Sequence, residues 1–353
     1  MKKTPRRILS ILALLLVLVL VLSCTVFGRV FGGYTNPDGS YVHLTGRDSF
    51  RRAEQHPAFA PFSSFILPWK DRVNQTVTPW LSLAFVCRQN RTSTDSITDG
   101  LNFIIDRAEE GPISYDFYTD DERRQDPSKE ETGLIVLPGD PDKPLALLTS
   151  GGAFQSVCLF LEGFPVGRVL HEMGYSVAIL KYRVDPNAKD FAESEANCLD
   201  KANEDFARAL DFLFAHQSEL GVSMEDYSVW GFSAGGRTTS LWALDNSYGY
   251  AAHGLPKPAA MVLVYSGWYD PRFDGQYGTA PATFFAWLPE DDVIGEENVR
   301  GIQTYIDLLK AQNTPVETVE YHTAKHGFGE GRGTDAEGWI QLAADFWQRQ
   351  QEN

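Results

Sequence analysis

The 353-residue chain is 43% hydrophobic and 22% charged, the make-up of a folded globular protein, which excludes a disordered chain. Its formal net charge is −16, and outside the first seven residues no Lys/Arg cluster could neutralise phosphates, so a nucleic-acid partner is excluded. The four cysteines, Cys24, Cys87, Cys158 and Cys198, include no C-x-x-C pair, which leaves no zinc or redox site. Scattered buried thiols are expected of the last three, with one disulfide open to them outside the cytoplasm.

The N-terminus reads as an address. Lys2, Lys3, Arg6 and Arg7 precede the apolar run Ile8 to Leu22, broken only by Ser10, as in a secretion signal. Three readings compete. Val21-Leu22-Ser23-Cys24 resembles a bacterial lipobox, which would leave a lipidated Cys24 as the new N-terminus. The apolar stretch also runs on to Val30, near the ~20 residues of a membrane helix, and would then be an uncleaved anchor with its basic end inside. Simple cleavage and secretion is the third. All three place the rest of the chain outside the cytoplasm, with membrane contact only through residues 1–31.

Residues 32–112 read as an N-terminal extension wrapping the main domain, with a small cap as the alternative. Gly32-Gly33 and Asn36-Pro37-Asp38-Gly39 are linker and turn, and Ser96 to Glu109 is a helix with Ile97, Leu101, Ile104, Ile105 and Ala108 on one stripe. Asn74-Gln75-Thr76 and Asn90-Arg91-Thr92 match the glycosylation sequon and are read as incidental. The main domain, 113–353, opens with two strands, Ile113–Tyr118 and Gly133–Pro138, around a charged loop from Asp120 to Thr132. These look like the antiparallel start of the later sheet.

From Leu145 the pattern becomes regular. Strands are expected at Leu145–Thr149, Ser176–Leu180, Ser228–Trp230, Ala260–Tyr265, Ala282–Ala286 and Val316–Tyr321. Helices are expected at Gly163–Glu172, Lys201–His216, Ala234–Ala243, Glu297–Ala311 and Ala336–Gln348. This alternation predicts an α/β fold, a mostly parallel central sheet with helices on both faces and its site at the strands' carboxyl ends.

At one strand end stands Trp230-Gly231-Phe232-Ser233-Ala234-Gly235-Gly236, a G-x-S-x-G between a strand and a helix. Small flanking residues let strand and helix pack closely while a sharp turn presents the Ser233 hydroxyl at the positive end of the helix. A serine nucleophile needs a base, and the base an orienting carboxylate, here in the order Ser, acid, His. His326, in Ala324-Lys325-His326-Gly327-Phe328-Gly329 just beyond a strand, is the base; His322 and His253 are set aside. The acid lies in Glu290-Asp291-Asp292, after the penultimate strand: Asp291 first, then Asp292, then Glu290. Ser150-Gly151-Gly152-Ala153-Phe154 follows another strand, so the N–H groups of Gly152, Ala153 and Ala234 are the expected oxyanion donors. Trp268 and Tyr269 are candidate substrate-binding aromatics, with Phe273 and Tyr277 nearby; ordinary packing is the alternative.

SGGAF, the stretch EGFPVGRVLHEMGYSVAILKYRV (Glu162–Val184), EDFARALDFL, VWGFSAGG, EDDVIGEEN and KHGFG together resemble α/β-hydrolase esterases of the acetyl-xylan-esterase-like and lipase-like group. The likeness runs from about Leu134 to Trp347, and Tyr115–Leu134 is similar to the lead-in of a bacterial subset. It implies the α/β-hydrolase fold and a triad completed by the loop Asp and the His before Gly-Phe-Gly, and aligning the Val-Ile-Gly-x-x-Asn end favours Asp291 over Asp292. Two positions depart from the group's pattern: Ser150 stands where many relatives have His or Pro, and Ala153 where they have a third Gly. Cleavage of short-acyl carboxylic esters, including acetyl groups on carbohydrate, without metal, nucleotide or organic cofactor, is the function so implied. A serine peptidase on the same triad and an inactive envelope binding protein are the alternatives.

Overall fold

The computed structural model describes residues 26–60, 78–278 and 280–351. Residues 1–25, which hold Cys24 and most of the expected signal or anchor segment (1–31), and the Asn74 sequon lie outside the described residues. Among the described residues, no helix is long and apolar enough to cross a membrane.

In chain order the elements are α1 (Phe50–Glu54), α2 (Leu83–Gln89), α3 (Thr94–Glu110), β1 (Ser114–Tyr115), α4 (Asp120–Gln125), β2 (Gly133–Leu137) and β3 (Pro144–Thr149). There follow α5 (Phe164–Glu172), β4 (Ser176–Lys181), α6 (Phe191–Leu220), β5 (Ser223–Phe232) and α7 (Ser233–Leu241). The chain ends with β6 (Ala260–Val264), β7 (Ala282–Trp287), α8 (Gly295–Ala311), β8 (Val316–Glu320) and α9 (Trp339–Gln351). The strands form one eight-stranded sheet in the order β1-β2-β4-β3-β5-β6-β7-β8. β2 runs antiparallel to both β1 and β4, and every other pairing is parallel. Strands β2 to β4 and β6 are buried along their whole length, as helices on both faces require, whereas the edge strand β8 is half-exposed.

Several elements differ from their expected bounds for local reasons. The first strand is two residues long, because Phe117 and Tyr118 turn into the core and Tyr118 donates to Asp205 at 2.7 Å. The charged stretch after it is α4 and a short 3-10 turn (Pro127–Glu131); Thr119 and Glu122 form a reciprocal capping box that starts the helix. The helix expected at 201–216 spans thirty residues as α6, capped by Asp190 and ended by Gly221 at φ 66°. Its first turns are mostly polar, which hides them from a hydrophobic period.

α3, from the N-terminal extension, lies against α5. A Cβ on Gly100 would stand 2.8 Å from the backbone nitrogen of Pro165, so the glycine sets how closely the two helices approach. Leu101, Ile104 and Ile105 join the same hydrophobic cluster as the sheet. At the top of α3, Ser96 donates to Glu330 at 2.5 Å, and Arg332 reaches Asp99 at 2.8 Å. The extension thus holds the loop that follows β8.

Candidate active site

The strand-to-helix turn between β5 and α7 sets the site. Ser233 has φ 47°, a left-handed conformation that costs a non-glycine residue on the order of 1 kcal/mol and persists only where its surroundings impose it. They do so here by close packing. A Cβ on Gly235 would lie 2.0 Å from the Thr149 carbonyl oxygen, and one on Gly231 would lie 2.5 Å from the Cα of Gly236. Ser266 clamps the turn from β6 by donating to the Ser233 carbonyl. Ser233 itself stays partly open to solvent although nearly every residue around it is buried.

His326 lies 2.8 Å (Nε2) from the Ser233 Oγ, and its Nδ1 lies 2.7 Å from Oδ2 of Asp291. An ionised carboxylate can only accept, so Nδ1 carries the proton and Nε2 is left free to accept from the serine hydroxyl. The other Asp291 oxygen accepts from the backbone N–H groups of Val293 and Ile294 at 3.0 and 3.3 Å, and the side chain is 1% exposed. Asp292 and Glu290 are exposed. The loop carrying His326 is held from beneath by Asp335, which accepts the N–H groups of His322, Thr323 and Ala324 at 2.6, 2.9 and 2.8 Å. Those three bonds hold the Asp335 carboxyl below the ordinary carboxylate range.

The glycine loop after β3 lies against the same turn: a Cβ on Gly151 would stand 2.7 Å from that of Ser233. Gly152 has φ 132°, and Ala153 and Phe154 follow it at φ 56° and 53°. The Gly152 carbonyl closes the turn by accepting the N–H groups of Gln155 and Ser156 at 3.0 and 3.1 Å. Among the described residues, the N–H groups of Gly152 and Ala153 donate to no protein acceptor, and the first-turn position of Ala234 in α7 leaves its N–H without one inside the helix. These are the groups available to a developing oxyanion.

Two residues that the sequence reading passed over sit between these parts. Glu162, buried in the π-helical turn Leu159–Gly163, accepts from the Gly151 N–H at 2.5 Å and from the Tyr265 hydroxyl at 2.9 Å. Burial raises its carboxyl to about 7 despite those bonds. Tyr265, at φ 41° just past β6, places its ring 4.8 Å from that of His326. A lone acid inside the apolar run Val157–Val166 is the signal that could have drawn attention to Glu162. No comparable signal marks Tyr265.

The aromatic candidates lie in the loop after β6. Trp268 is buried and edge-on to Phe191 at 6.1 Å, and Tyr269 stacks on Tyr277 at 5.3 Å. This loop is anchored to α7 by Arg237, which pairs with Asp270 and with Glu195 (2.9 Å). Cys87, Cys158 and Cys198 are buried free thiols. Among the described residues, no group of three His, Cys, Asp or Glu side chains is placed to hold a metal ion.

The strand order, the antiparallel second strand and the serine turn after β5 are those of the α/β-hydrolase fold. No protein-family model and no curated protein matches the sequence. Among solved structures, a thermophilic esterase from Thermogutta terrifontis with butyrate bound matches at TM-score 0.51 and 17% identity, over 67% of this chain and 93% of that one. A sugar hydrolase from Lactococcus lactis matches at 0.50 and 18%, over 63% and 95%. An α/β hydrolase from a Medee basin deep-sea metagenome library matches at 0.49 and 21%, over 63% and 93%. At these identities the likeness of the first two is one of fold, and together with the strand order it gives this chain the α/β-hydrolase fold.

Proposed function

We propose that this α/β-hydrolase-fold chain is a serine esterase that cleaves short-acyl carboxylic esters, acetyl groups on carbohydrate among them, through an acyl-enzyme. The observation that carries this reading is the row Ser233 Oγ, His326 Nε2 and Nδ1, Asp291 Oδ2, with contacts of 2.8 and 2.7 Å, at a strained and partly open turn. In this reaction His326 takes the Ser233 proton as the oxygen attacks the acyl carbon. The N–H groups of Gly152, Ala153 and Ala234 receive the oxyanion, and His326 then protonates the leaving alcohol. Water repeats the sequence on the acyl-enzyme and releases the acid. Asp291 holds the imidazole tautomer and balances the imidazolium charge. Trp268 and Tyr269 are assigned to the substrate wall only by their place in the loop after β6, where Trp268 packs on Phe191 and Tyr269 on Tyr277. No cofactor takes part.

The basic and apolar leader supports an extracytoplasmic location, tethered by an N-terminal helix or a lipidated Cys24, or secreted. Fractionation of cells expressing the wild type and Cys24→Ala tests this. Release of the variant alone would assign the lipid, retention of both the helix, and release of both secretion.

The activity is tested with the full chain in detergent and its Ser233→Ala variant, on p-nitrophenyl acetate, p-nitrophenyl butyrate and a peptidyl p-nitroanilide. Ester hydrolysis lost in the variant supports the reading. Faster cleavage of the anilide would make the protein a peptidase, and labelling by a fluorophosphonate with no turnover of either class would remove the esterase reading. Neither labelling nor turnover would leave an inactive binding protein.

A further inference from the structure

Glu162 hydrogen-bonds to none of the three groups in the Ser233–His326–Asp291 row, yet it joins the parts that must stay aligned around them. Its Oε2 takes the Gly151 N–H at 2.5 Å and its Oε1 takes the Tyr265 hydroxyl at 2.9 Å. Gly151 is one residue from Gly152 and lies against Ser233, where even a Cβ would not fit. The Tyr265 ring packs on His326 at 4.8 Å and on Phe328 at 4.7 Å. One buried carboxyl therefore ties the glycine loop to the histidine loop, and both to the end of β6. A carboxyl with no solvent access is costly to keep, and what offsets that cost here is the Gly151 N–H, the Tyr265 hydroxyl and the nearby His326 ring.

We propose that Glu162 is a positioning residue for the reaction assigned above: it clamps the Gly151 amide and the Tyr265 hydroxyl so that the Gly152 and Ala153 N–H groups and the His326 ring stay in register with Ser233. This rests on the esterase reading for its substrate but not for its test. The clamp needs one acceptor towards Gly151 and one hydrogen-bonding atom towards Tyr265. A glutamine supplies both, its carbonyl to the amide and its NH2 to the tyrosine oxygen, and an alanine supplies neither.

The full-length chain in detergent, as wild type, Glu162→Ala, Glu162→Gln and Tyr265→Phe, would be followed by p-nitrophenyl acetate kinetics, fluorophosphonate labelling of Ser233 and thermal unfolding. Misaligned oxyanion donors cost about 10²-fold or more in kcat, so Glu162→Ala should lose about that in both kcat and labelling rate, with KM nearly unchanged. Glu162→Gln should recover to within about tenfold of wild type, and Tyr265→Phe should fall between the two. A folded Glu162→Ala that labels at the wild-type rate overturns the inference, as does a folded Glu162→Gln no better than it. If Glu162→Ala does not fold, Tyr265→Phe decides: wild-type kcat and labelling overturn the clamp, and a loss in both supports it. A wild type that labels but cleaves no ester removes the esterase reading and leaves the labelling ratios to judge Glu162. A wild type that does neither overturns both.

Discussion

The Asp291 carboxylate lies 2.7 Å from Nδ1 of His326. Asp292 and Glu290, its neighbours in the loop, are exposed. Asp291→Asn should keep the fold but present an amide whose N–H faces Nδ1, which forces the wrong imidazole tautomer and lowers kcat about 10³–10⁴-fold. Asp292→Asn should remain within about twofold of wild type, as surface changes usually do. Steady-state ester kinetics on the two variants, side by side, check this. Equal losses would remove the distinction.

The Glu162 carboxyl makes stability depend on pH in the direction opposite to an ordinary salt-bridged acid. Its value in the fold is about 7 against an ordinary 4.5, so between those values the folded chain keeps a proton that the unfolded chain has lost. Stability therefore falls through that window as pH rises, by on the order of 3 kcal/mol, and the deficit stays constant above it. The groups facing it are Tyr265, Tyr182, Cys158 and His326. Glu162→Gln lacks the titrating proton, so its stability relative to wild type should rise from about pH 4.5 to about pH 7 and then level off. Denaturant unfolding across pH measures it, and a pH-independent difference would count against the shift.

Asp335 carries the usual sign. Its carboxyl is held low by three backbone N–H groups, so its contribution is present above the ordinary 3.8 and is lost as pH falls through the folded value. Asp335→Ala frees the segment 322–324 just ahead of His326. It should slow fluorophosphonate labelling several-fold, with a modest drop in unfolding temperature that narrows in acid. An unchanged labelling rate would show that the His326 loop holds its place without this anchor.

Gly235→Ala should be among the most damaging small substitutions in the chain. The new Cβ would meet the Thr149 carbonyl oxygen at 2.0 Å, and backbone on both sides cannot yield as a flexible side chain would. The loss should reach or exceed the ~1–3 kcal/mol of ordinary overpacking. Gly111→Ala is the control, since no atom lies within 4 Å of its Cβ position and its φ of 160° is extended backbone. It should stay within about 0.5 kcal/mol of wild type. Chemical denaturation of both variants separates the cases.

The alternation of apolar runs and amphipathic stretches after Leu145 was enough to read a parallel sheet, because strands buried on both faces must be apolar throughout. Gly-x-Ser-x-Gly between a strand and a helix named Ser233, and a histidine in a glycine-bearing loop past a strand named His326, since chain order and strand ends are linear information. Where elements begin was less legible: α4 and the first turns of α6 are polar and announce themselves only through their caps. Of the three adjacent acids, the family resemblance put Asp291 ahead of Asp292 and Glu290, and the fold gives the physical reason by burying it 2.7 Å from His326 while its neighbours stay exposed. A lone acid in an apolar run hints at Glu162, but its pairing with Tyr265 became visible only in three dimensions. Their bond joins residues 103 positions apart, and no local pattern records a contact made by strand order. Sequence by itself therefore determined the layers and the chemistry of the motifs, because periodicity and turn geometry are local. The tertiary structure decided which acid is buried against His326 and what holds the glycine loop, because burial and long-range hydrogen bonds exist only once the sheet has formed.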